Sequence, residues 1–144
     1  MFNRLFQPDI DIIAEKHQYP YNLSNIEDHR LPLRFAGLLF GSLKASISSN
    51  SGIFNGHDVI RMILAGADTV QIVSTLYLNQ IEVITSILKE MEKWMESKGY
   101  NNLSDFRGKL SRIRTADKAP YLRAQYIDFQ MSTTAILKKY KVIS

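Results

Sequence analysis

The chain has 144 residues, 45% of them hydrophobic and 22% charged, which is enough for one modest hydrophobic core and too few for two domains. Seven glycines and four prolines exclude a fibrous or low-complexity protein, and the absence of cysteine excludes disulfides, thiolate metal sites and a cysteine nucleophile. The longest purely apolar stretch, residues 35–41, is far shorter than the ~20 residues of a membrane-spanning helix. The first residues lack the apolar core of a secretory signal, so we expect a cytoplasmic location.

Residues 1–43 have an irregular pattern. The short apolar run FNRLF predicts the end of a strand, and the turn residues at positions 8–22 predict a long loop after it. Ser24 stands three residues before Glu27, which is the spacing of a helix capping box. A further helix is predicted at about residues 32–40, with a proline in its first turn.

Residues 44–66 carry a strand signal followed by a helix signal. The run KASIS, residues 44–48, predicts a short strand that is closed by a polar loop at residues 49–52. Asn55 is a typical helix N-cap, and an acidic residue follows in the first turn, where the helix dipole favours an anion. The apolar residues that come next predict a helix as far as Gly66.

Residues 68–98 repeat that order. The β-branched residues 68–74 predict a second strand, and a helix is predicted from about residue 79 to residue 98, where Gly99 ends it. Two strands and two helices with connections this short predict a right-handed βαβ unit with parallel strands, covered by the helices. Four large side chains at helical spacing are predicted to pack in the core rather than bind a cofactor: Met62, Met91, Trp94 and Met95.

Residues 107–144 hold nine Lys or Arg residues against two acidic residues, so the excess positive charge lies in this tail. One interpretation is nucleic-acid binding, because basic side chains neutralise phosphates while aromatic rings stack on bases. The other interpretation, which we favour, is a partly irregular extension whose aromatic residues pack on the body of the protein. The aromatic residues concerned are Tyr121, Tyr126, Phe129 and Tyr140.

Two loops are the candidate ligand site. Ligands of parallel α/β sheets bind at the carboxyl ends of the strands, where backbone amides can hold anions. Residues 50–53 follow the first predicted strand and residues 73–75 follow the second. Paired loops of this kind hold a phosphate after the seventh and eighth strands of many (β/α)8 barrels. Gly52 is equally typical of an ordinary turn.

Other chemistry is not evident from the sequence. His17, His29 and His57 share no metal-ligand spacing, and His57 is predicted to lie on the surface at the start of a helix. The chain has no Walker loop, no GxGxxG motif and no GxSxG motif. We therefore assign no catalytic residue within this chain.

Two long motifs resemble the C-terminal part of the dihydroorotate dehydrogenases and their dehydrogenase-like relatives: SGIFNGHDVIRMILAGADTVQIVSTL and WMESKGYNNLSDFRGKL. The opening FNR and QPDID runs and the segment LPLRFAGLLFG are similar to the preceding stretch of that family. The likeness covers roughly residues 1–131. It implies a flavin enzyme on a TIM barrel, with FMN at the C-terminal mouth and its phosphate held by the loops after strands seven and eight.

The resemblance also implies roles for particular residues. The loops at Ser51 and Gly52 and at Val73 and Ser74 would bind the FMN phosphate, chiefly through main-chain amides. Asn3 matches a family asparagine near the flavin and the pyrimidine substrate, where a side-chain amide can donate and accept hydrogen bonds. The family typically has two glycines in the first loop and a glycine at position 73, which let the backbone approach the phosphate closely.

The resemblance implies an α/β fold that is the C-terminal half of a TIM barrel, about strands five to eight, with a C-terminal helical extension. Residues 1–43 would form a strand end, loop and helix, residues 44–98 a βαβα phosphate-binding unit, and residues 99–144 the basic extension. A full barrel takes about 250 residues. The family's catalytic base loop and flavin-contacting lysine would precede the first residue here.

We therefore expect the FMN-phosphate-binding portion of an enzyme that oxidises dihydroorotate or a related dihydropyrimidine. It would be inactive without the N-terminal half of the barrel. The missing half or a second copy of the chain would cover the open strand edges. The alternative is a non-enzymatic remnant that serves as an oligomeric scaffold or as a nucleic-acid-binding module.

Overall fold

The computed structural model describes residues 9–18 and 23–121. Strands β1 (Asp9–Asp11) and β2 (Lys16–Gln18) pair as an antiparallel hairpin, where the sequence had predicted a loop. The loop prediction was wrong because an aspartate organises the turn: Asp11 Oδ1 accepts hydrogen bonds from the backbone nitrogens of Ile13 (2.9 Å) and Ala14 (3.0 Å). The FNRLF run lies outside the described residues.

A 3₁₀ turn at Ile26–His29 leads directly into helix α1 (Arg30–Leu39). The helix confirms the one predicted at residues 32–40 and begins two residues earlier. The predicted capping box was wrong by one residue, since Asn25 and Asp28 cap each other's backbone and Ser24 does not cap the turn. Ser24 is therefore free to make a contact elsewhere in the fold.

Strands β3 (Ser48–Asn50) and β4 (Thr69–Gln71) pair in parallel, with Ser48 opposite Thr69 and Asn50 opposite Gln71. Helix α2 (Gly56–Ala65) connects them, so the predicted parallel strand–helix–strand unit is confirmed. Because the strands are parallel, their carboxyl ends lie at the same edge of this two-stranded sheet.

The predicted position of the first strand was wrong, because pairing covers residues 48–50 and only one residue of the predicted 44–48 run. Ile47 instead anchors the entry to the strand: its nitrogen donates to Asp68 Oδ2 and its oxygen accepts from the Asp68 nitrogen, both at 2.8 Å. Ser49, predicted to lie in a loop, points into the core with its hydroxyl 3.1 Å from the sulfur of Met62. A partner for the hydroxyl lets a polar residue occupy a buried strand position.

Helix α2 has the ends that its sequence predicts. Asn55 Oδ1 accepts from the Asp58 nitrogen (3.0 Å), and Asp58 Oδ2 accepts in return from the backbone nitrogens of Asn55 (3.3 Å) and Phe54 (3.0 Å). Gly66 ends the helix with a φ of 132°. The reciprocal cap at Oδ2 and an ion pair of Oδ1 with Arg61 at 2.5 Å explain how the Asp58 carboxylate can be completely buried.

Two helices follow β4 where one was predicted. Helix α3 (Ser74–Asn79) begins within the predicted strand, and helix α4 (Val83–Lys98) begins four residues later than predicted. Gln80 separates them with a φ of 61°, a conformation that interrupts a right-handed helix. Gly99 ends α4 in the left-handed conformation, as predicted.

The core lies around α2, which packs against α1, α4 and the β3–β4 sheet. The prediction that Met62 and Met91 pack in the core is confirmed, and Met95 and Trp94 pack against its edge. The Trp94 ring meets the fully buried Phe106 ring edge-on at 5.0 Å. The buried apolar residues are Ala36, Ile47, Ile53, Val59, Ile60, Met62, Ile63, Ala65, Ala67, Ile87, Met91 and Phe106.

The C-terminal region was predicted to be a helical extension. In its described part, residues 99–121, the helical structure is limited to two 3₁₀ turns, Leu103–Asp105 and Ala119–Tyr121. Between these turns the backbone nitrogen of Gly108 donates to the carbonyl of Ile63 at 2.8 Å, which holds the segment against the end of α2.

Among the described residues, no helix has the length and apolar character needed to cross a membrane.

Candidate functional site

Two loops leave the sheet at the same edge. Asn50 and Gln71 form the last pair of the parallel ladder, and each strand then turns into its loop. We call residues 51–52 the first loop and residues 73–74 the second loop. Parallel pairing therefore brings the two predicted phosphate-binding loops to one edge of the sheet.

The backbone of the first loop is left-handed at two successive residues. Ser51 has a φ of 70° and Gly52 a φ of 67°. A Cβ on Gly52 would collide with the backbone nitrogen of His29 and lie 3.0 Å from the carbonyl oxygen of Asn25. Gly52 is thus required by the local packing, whereas Ser51 adopts a conformation that costs a non-glycine residue roughly 1 kcal/mol.

The second loop is held by a side chain. Ser74 Oγ accepts a hydrogen bond from the backbone nitrogen of Ser24 at 2.9 Å and lies 2.8 Å from Ser24 Oγ. Val73 comes just before α3 and exposes 62% of its surface, so its side chain contributes little packing. Thr75 is completely buried at the start of α3 and hydrogen bonds through its oxygens to Asn79 Nδ2.

One short stretch of chain contacts both loops. We call residues 24–29 the bridging segment: Ser24 binds Ser74 in the second loop, while Asn25 and His29 lie against Gly52 in the first. The segment joins two loops that are separated by about twenty residues of sequence. Its contacts fix the second loop through hydrogen bonds and the first through close backbone packing.

A buried polar atom without a partner lies beside the first loop. The Oδ1 atom of Asn50, the last residue of β3, is buried and has no hydrogen-bond partner among the described residues. Buried polar atoms are nearly always paired, so an unpaired one at the end of a strand is a candidate ligand contact. Rotating the amide by half a turn exchanges the oxygen for two N–H donors.

The sequence singled out four of the residues that the described structure places at this edge: Ser51, Gly52, Val73 and Ser74. It included Asn50 in the candidate loop at residues 50–53 without giving its side chain a role. It missed Ser24, which it assigned to a cap, and it gave no role to the bridging segment. A hydrogen bond between Ser24 and Ser74 spans 50 positions, and no local pattern predicts it. Asn3 lies outside the described residues.

The histidines are dispersed. His17 lies on β2, a ring nitrogen of His29 contacts the carbonyl oxygen of Ile26, and His57 is exposed in the first turn of α2 as predicted. Among residues 9–18 and 23–121, no group of three or more His, Cys, Asp or Glu side chains is placed to hold a metal ion.

Side chains in the described part of the basic tail, residues 107–121, form contacts within the protein. Arg107 forms an ion pair with Asp68 at 2.8 Å, and Lys109 donates to the Tyr100 hydroxyl at 2.7 Å. The Tyr121 hydroxyl donates to a backbone carbonyl, and burial raises the pKa of its phenol. These contacts agree with an extension packed on the body of the protein. The remaining aromatic residues of the tail lie outside the described residues.

No profile of a known protein family matches the chain. Individual relatives do match. A probable dihydroorotate dehydrogenase A (fumarate) from Streptococcus pneumoniae R6 is 39% identical over 67 residues, which is 46% of this chain and 22% of the relative. A putative one from Streptococcus uberis is 42% identical over 64 residues, 44% of this chain and 21% of the relative.

The dihydroorotate dehydrogenase A (fumarate) of Lactococcus lactis subsp. lactis is 36% identical over 67 residues, again 46% of this chain and 22% of the relative. The aligned segment thus spans about a fifth of the length of these curated relatives.

Among solved structures, a dihydroorotate dehydrogenase from Eimeria tenella in complex with ferulenol superposes with a TM-score of 0.57 at 20% identity. The superposition covers 62% of this chain and 24% of that one, and it supports a common mixed α/β fold over that part. These matches confirm the resemblance inferred from the sequence: the chain contains a segment homologous to the dihydroorotate dehydrogenases.

Proposed function

We propose that this chain supplies the FMN-phosphate-binding portion of a dihydroorotate dehydrogenase-like flavoprotein. The observation that carries the proposal is the parallel pairing of β3 and β4, which ends at Asn50 and Gln71 and so brings both loops to one edge of the sheet. Homology to dihydroorotate dehydrogenases provides independent support and identifies the flavin chemistry to test first.

We further propose that β3 and β4 are neighbouring strands of a (β/α)8 barrel, corresponding to strands seven and eight. Their parallel pairing and connecting helix support this assignment, as does the structural likeness to a dihydroorotate dehydrogenase. Two paired strands leave free edges, and closure of a barrel removes such edges. The partner would therefore be the remaining barrel strands, supplied by further polypeptide or by a second copy of this chain.

The described residues fit the phosphate end of FMN. With its amide flipped so that Nδ2 replaces the unpaired Oδ1, Asn50 would offer a donor beside the first loop, and the hydroxyls of Ser24 and Ser74 lie together at the second. A phosphate ester accepts hydrogen bonds from such groups and from backbone amides. When bound, FMN would supply the two-electron oxidation of dihydroorotate or a related dihydropyrimidine, while this chain's own residues hold and orient the phosphate.

We assign no catalytic base among the described residues and propose for them only the role of holding the phosphate. From the family resemblance we propose that Asn3 lies near the flavin and the pyrimidine substrate. A cytoplasmic location stays a prediction. A membrane partner is not proposed, and the contacts of Arg107 and Lys109 within the protein do not favour nucleic acid.

The test compares FMN with riboflavin, which has the same ring system and no phosphate. Each is titrated into the ¹⁵N-labelled chain, and amide chemical shifts are followed at concentrations high enough to detect weak binding. We expect FMN to shift the amides of Ser51, Gly52 and Ser74, and riboflavin to leave them unchanged. Equal responses to both, or none to either, would contradict the proposal and leave the non-enzymatic scaffold as the better interpretation.

A further inference from the structure

We propose that Ser24 is a positioning residue of the phosphate site, which directs one hydroxyl proton of the Ser24–Ser74 pair toward an anionic ester. The inference rests on the proposed function and adds a residue that sequence patterns assign to a helix cap. The two hydroxyl oxygens lie 2.8 Å apart, and both are partly buried at the edge where β3 and β4 end.

The hydrogen bonds at Ser74 Oγ leave one hydroxyl proton of the pair unused. A serine hydroxyl has two acceptor positions and one proton. The backbone N–H of Ser24 can only donate, and at 2.9 Å it takes one acceptor position of Ser74 Oγ. The second contact, at 2.8 Å, joins the two hydroxyls, and one of their two protons lies in that bond.

One hydroxyl proton therefore remains for another acceptor. When the Ser24 hydroxyl donates to Ser74, both acceptor positions of Ser74 are filled, and the Ser74 proton is the one left over. The described residues place no acceptor for that proton within hydrogen-bond distance. A phosphate oxygen provides such an acceptor, and hydrogen bonds to charged groups are the stronger ones.

The segment that holds Ser24 also packs against the first loop. Directly after Ser24, the bridging segment packs Asn25 and His29 against Gly52 so closely that a Cβ has no room there. The same six residues thus set the position of both loops. Ser24 would act on the phosphate through Ser74, whereas the rest of the segment acts through the backbone of the first loop.

The test is a double-mutant cycle of Ser24→Ala and Ser74→Ala, with FMN and riboflavin titrated into the labelled chain as above. We expect Ser24→Ala to weaken FMN binding by about tenfold or more, the effect of losing one well-directed hydrogen bond to a charged group. Riboflavin should still leave the loop amides unchanged. Ser24→Ala should add nothing in the Ser74→Ala background, because it acts through that hydroxyl.

Two further variants separate positioning from a general loss of structure. Ser24→Thr keeps both the backbone N–H and a hydroxyl, so FMN binding should return to within about twofold of the original chain. Ser97→Ala removes an exposed hydroxyl that donates to the carbonyl of Trp94 on α4, and it should leave FMN binding unchanged.

Three results would overturn the inference alone while the original chain still prefers FMN. These are unchanged FMN binding in Ser24→Ala, an equal loss of FMN binding in Ser24→Ala and in the control Ser97→Ala, and additive effects of the Ser24→Ala and Ser74→Ala variants. If the original chain shows no preference for FMN over riboflavin, the proposed function fails, and the role of Ser24 fails with it.

Discussion

Different kinds of interaction hold the two loops at the sheet edge in place. The first loop depends on backbone conformation, because Gly52 is left-handed and lies against the His29 backbone. The second depends on a side chain, since Ser74 Oγ receives the backbone N–H of Ser24 and contacts its hydroxyl. Substitutions in the first loop should therefore change stability through backbone conformation and packing, whereas Ser74→Ala in the second loop should change both stability and ligand binding through its hydroxyl.

The largest expected effect is that of Gly52→Ala. The added Cβ meets backbone that cannot move aside as a flexible side chain would, and the φ of 67° disfavours alanine. We expect the free energy of unfolding to fall by about 2–4 kcal/mol, measured by urea denaturation.

Gly99→Ala is the matched control, because Gly99 has a φ of 70° and no atom within 4 Å of an added Cβ. The free energy of unfolding of this variant should fall by only about 1 kcal/mol, the cost of placing alanine in the left-handed conformation. If both variants lose the same stability, the packing of the bridging segment on Gly52 contributes nothing, and the contrast between the loops fails.

Ser74→Ala should have an intermediate effect. It leaves the partly buried N–H of Ser24 without its acceptor, which should lower the free energy of unfolding by about 1–2 kcal/mol. In Ser97→Ala the lost hydrogen bond is exposed, and its change should stay below about 0.5 kcal/mol. Similar losses of unfolding free energy in the two variants would show that the hydrogen bonds between Ser24 and Ser74 contribute no more than an exposed hydrogen bond.

Ser51→Gly should stabilise the protein. Ser51 adopts a φ of 70°, and glycine reaches that region without the Cβ penalty, although glycine also makes the unfolded chain more flexible. We expect a net gain of about 0.5 kcal/mol in urea denaturation. A loss of stability would show that the Ser51 side chain makes a contact that outweighs its backbone strain.

Val73→Ala should have the smallest effect on folding. The side chain exposes 62% of its surface, so the free energy of unfolding should change by less than about 0.5 kcal/mol. FMN binding should hold or improve in the amide-shift titration, because a smaller side chain lets the backbone approach a phosphate. Weaker FMN binding with unchanged stability would mean that Val73 itself contacts the ligand.

Local sequence signals predicted helix α2 well. Asn55 and Asp58 form a cap within four residues, and Gly66 ends the helix at a backbone angle that favours glycine. The parallel arrangement of the strands also followed from short connections. These features depend on residues that are close in sequence, where the physics of caps and turns dominates.

Other features depend on tertiary contacts. Ser49 enters β3 because the sulfur of Met62 lies beside its hydroxyl, and Ser24 leaves its expected cap because Ser74 lies within reach. Helix α3 was missed because residues 69–75 are rich in β-branched side chains, although pairing ends at Gln71. The strand pattern and the family resemblance both indicated the two loops, but only the fold shows the bridging segment between them.

Whether both loops bind the same anion is tested by titrating the ¹⁵N-labelled chain with inorganic phosphate, with sodium chloride at matched ionic strength as the control. The account predicts that the amides of Gly52 and Ser74 shift together and yield one dissociation constant, because both loops face a single anion. Shifts in only one loop, two different dissociation constants, or the same response to chloride would contradict it.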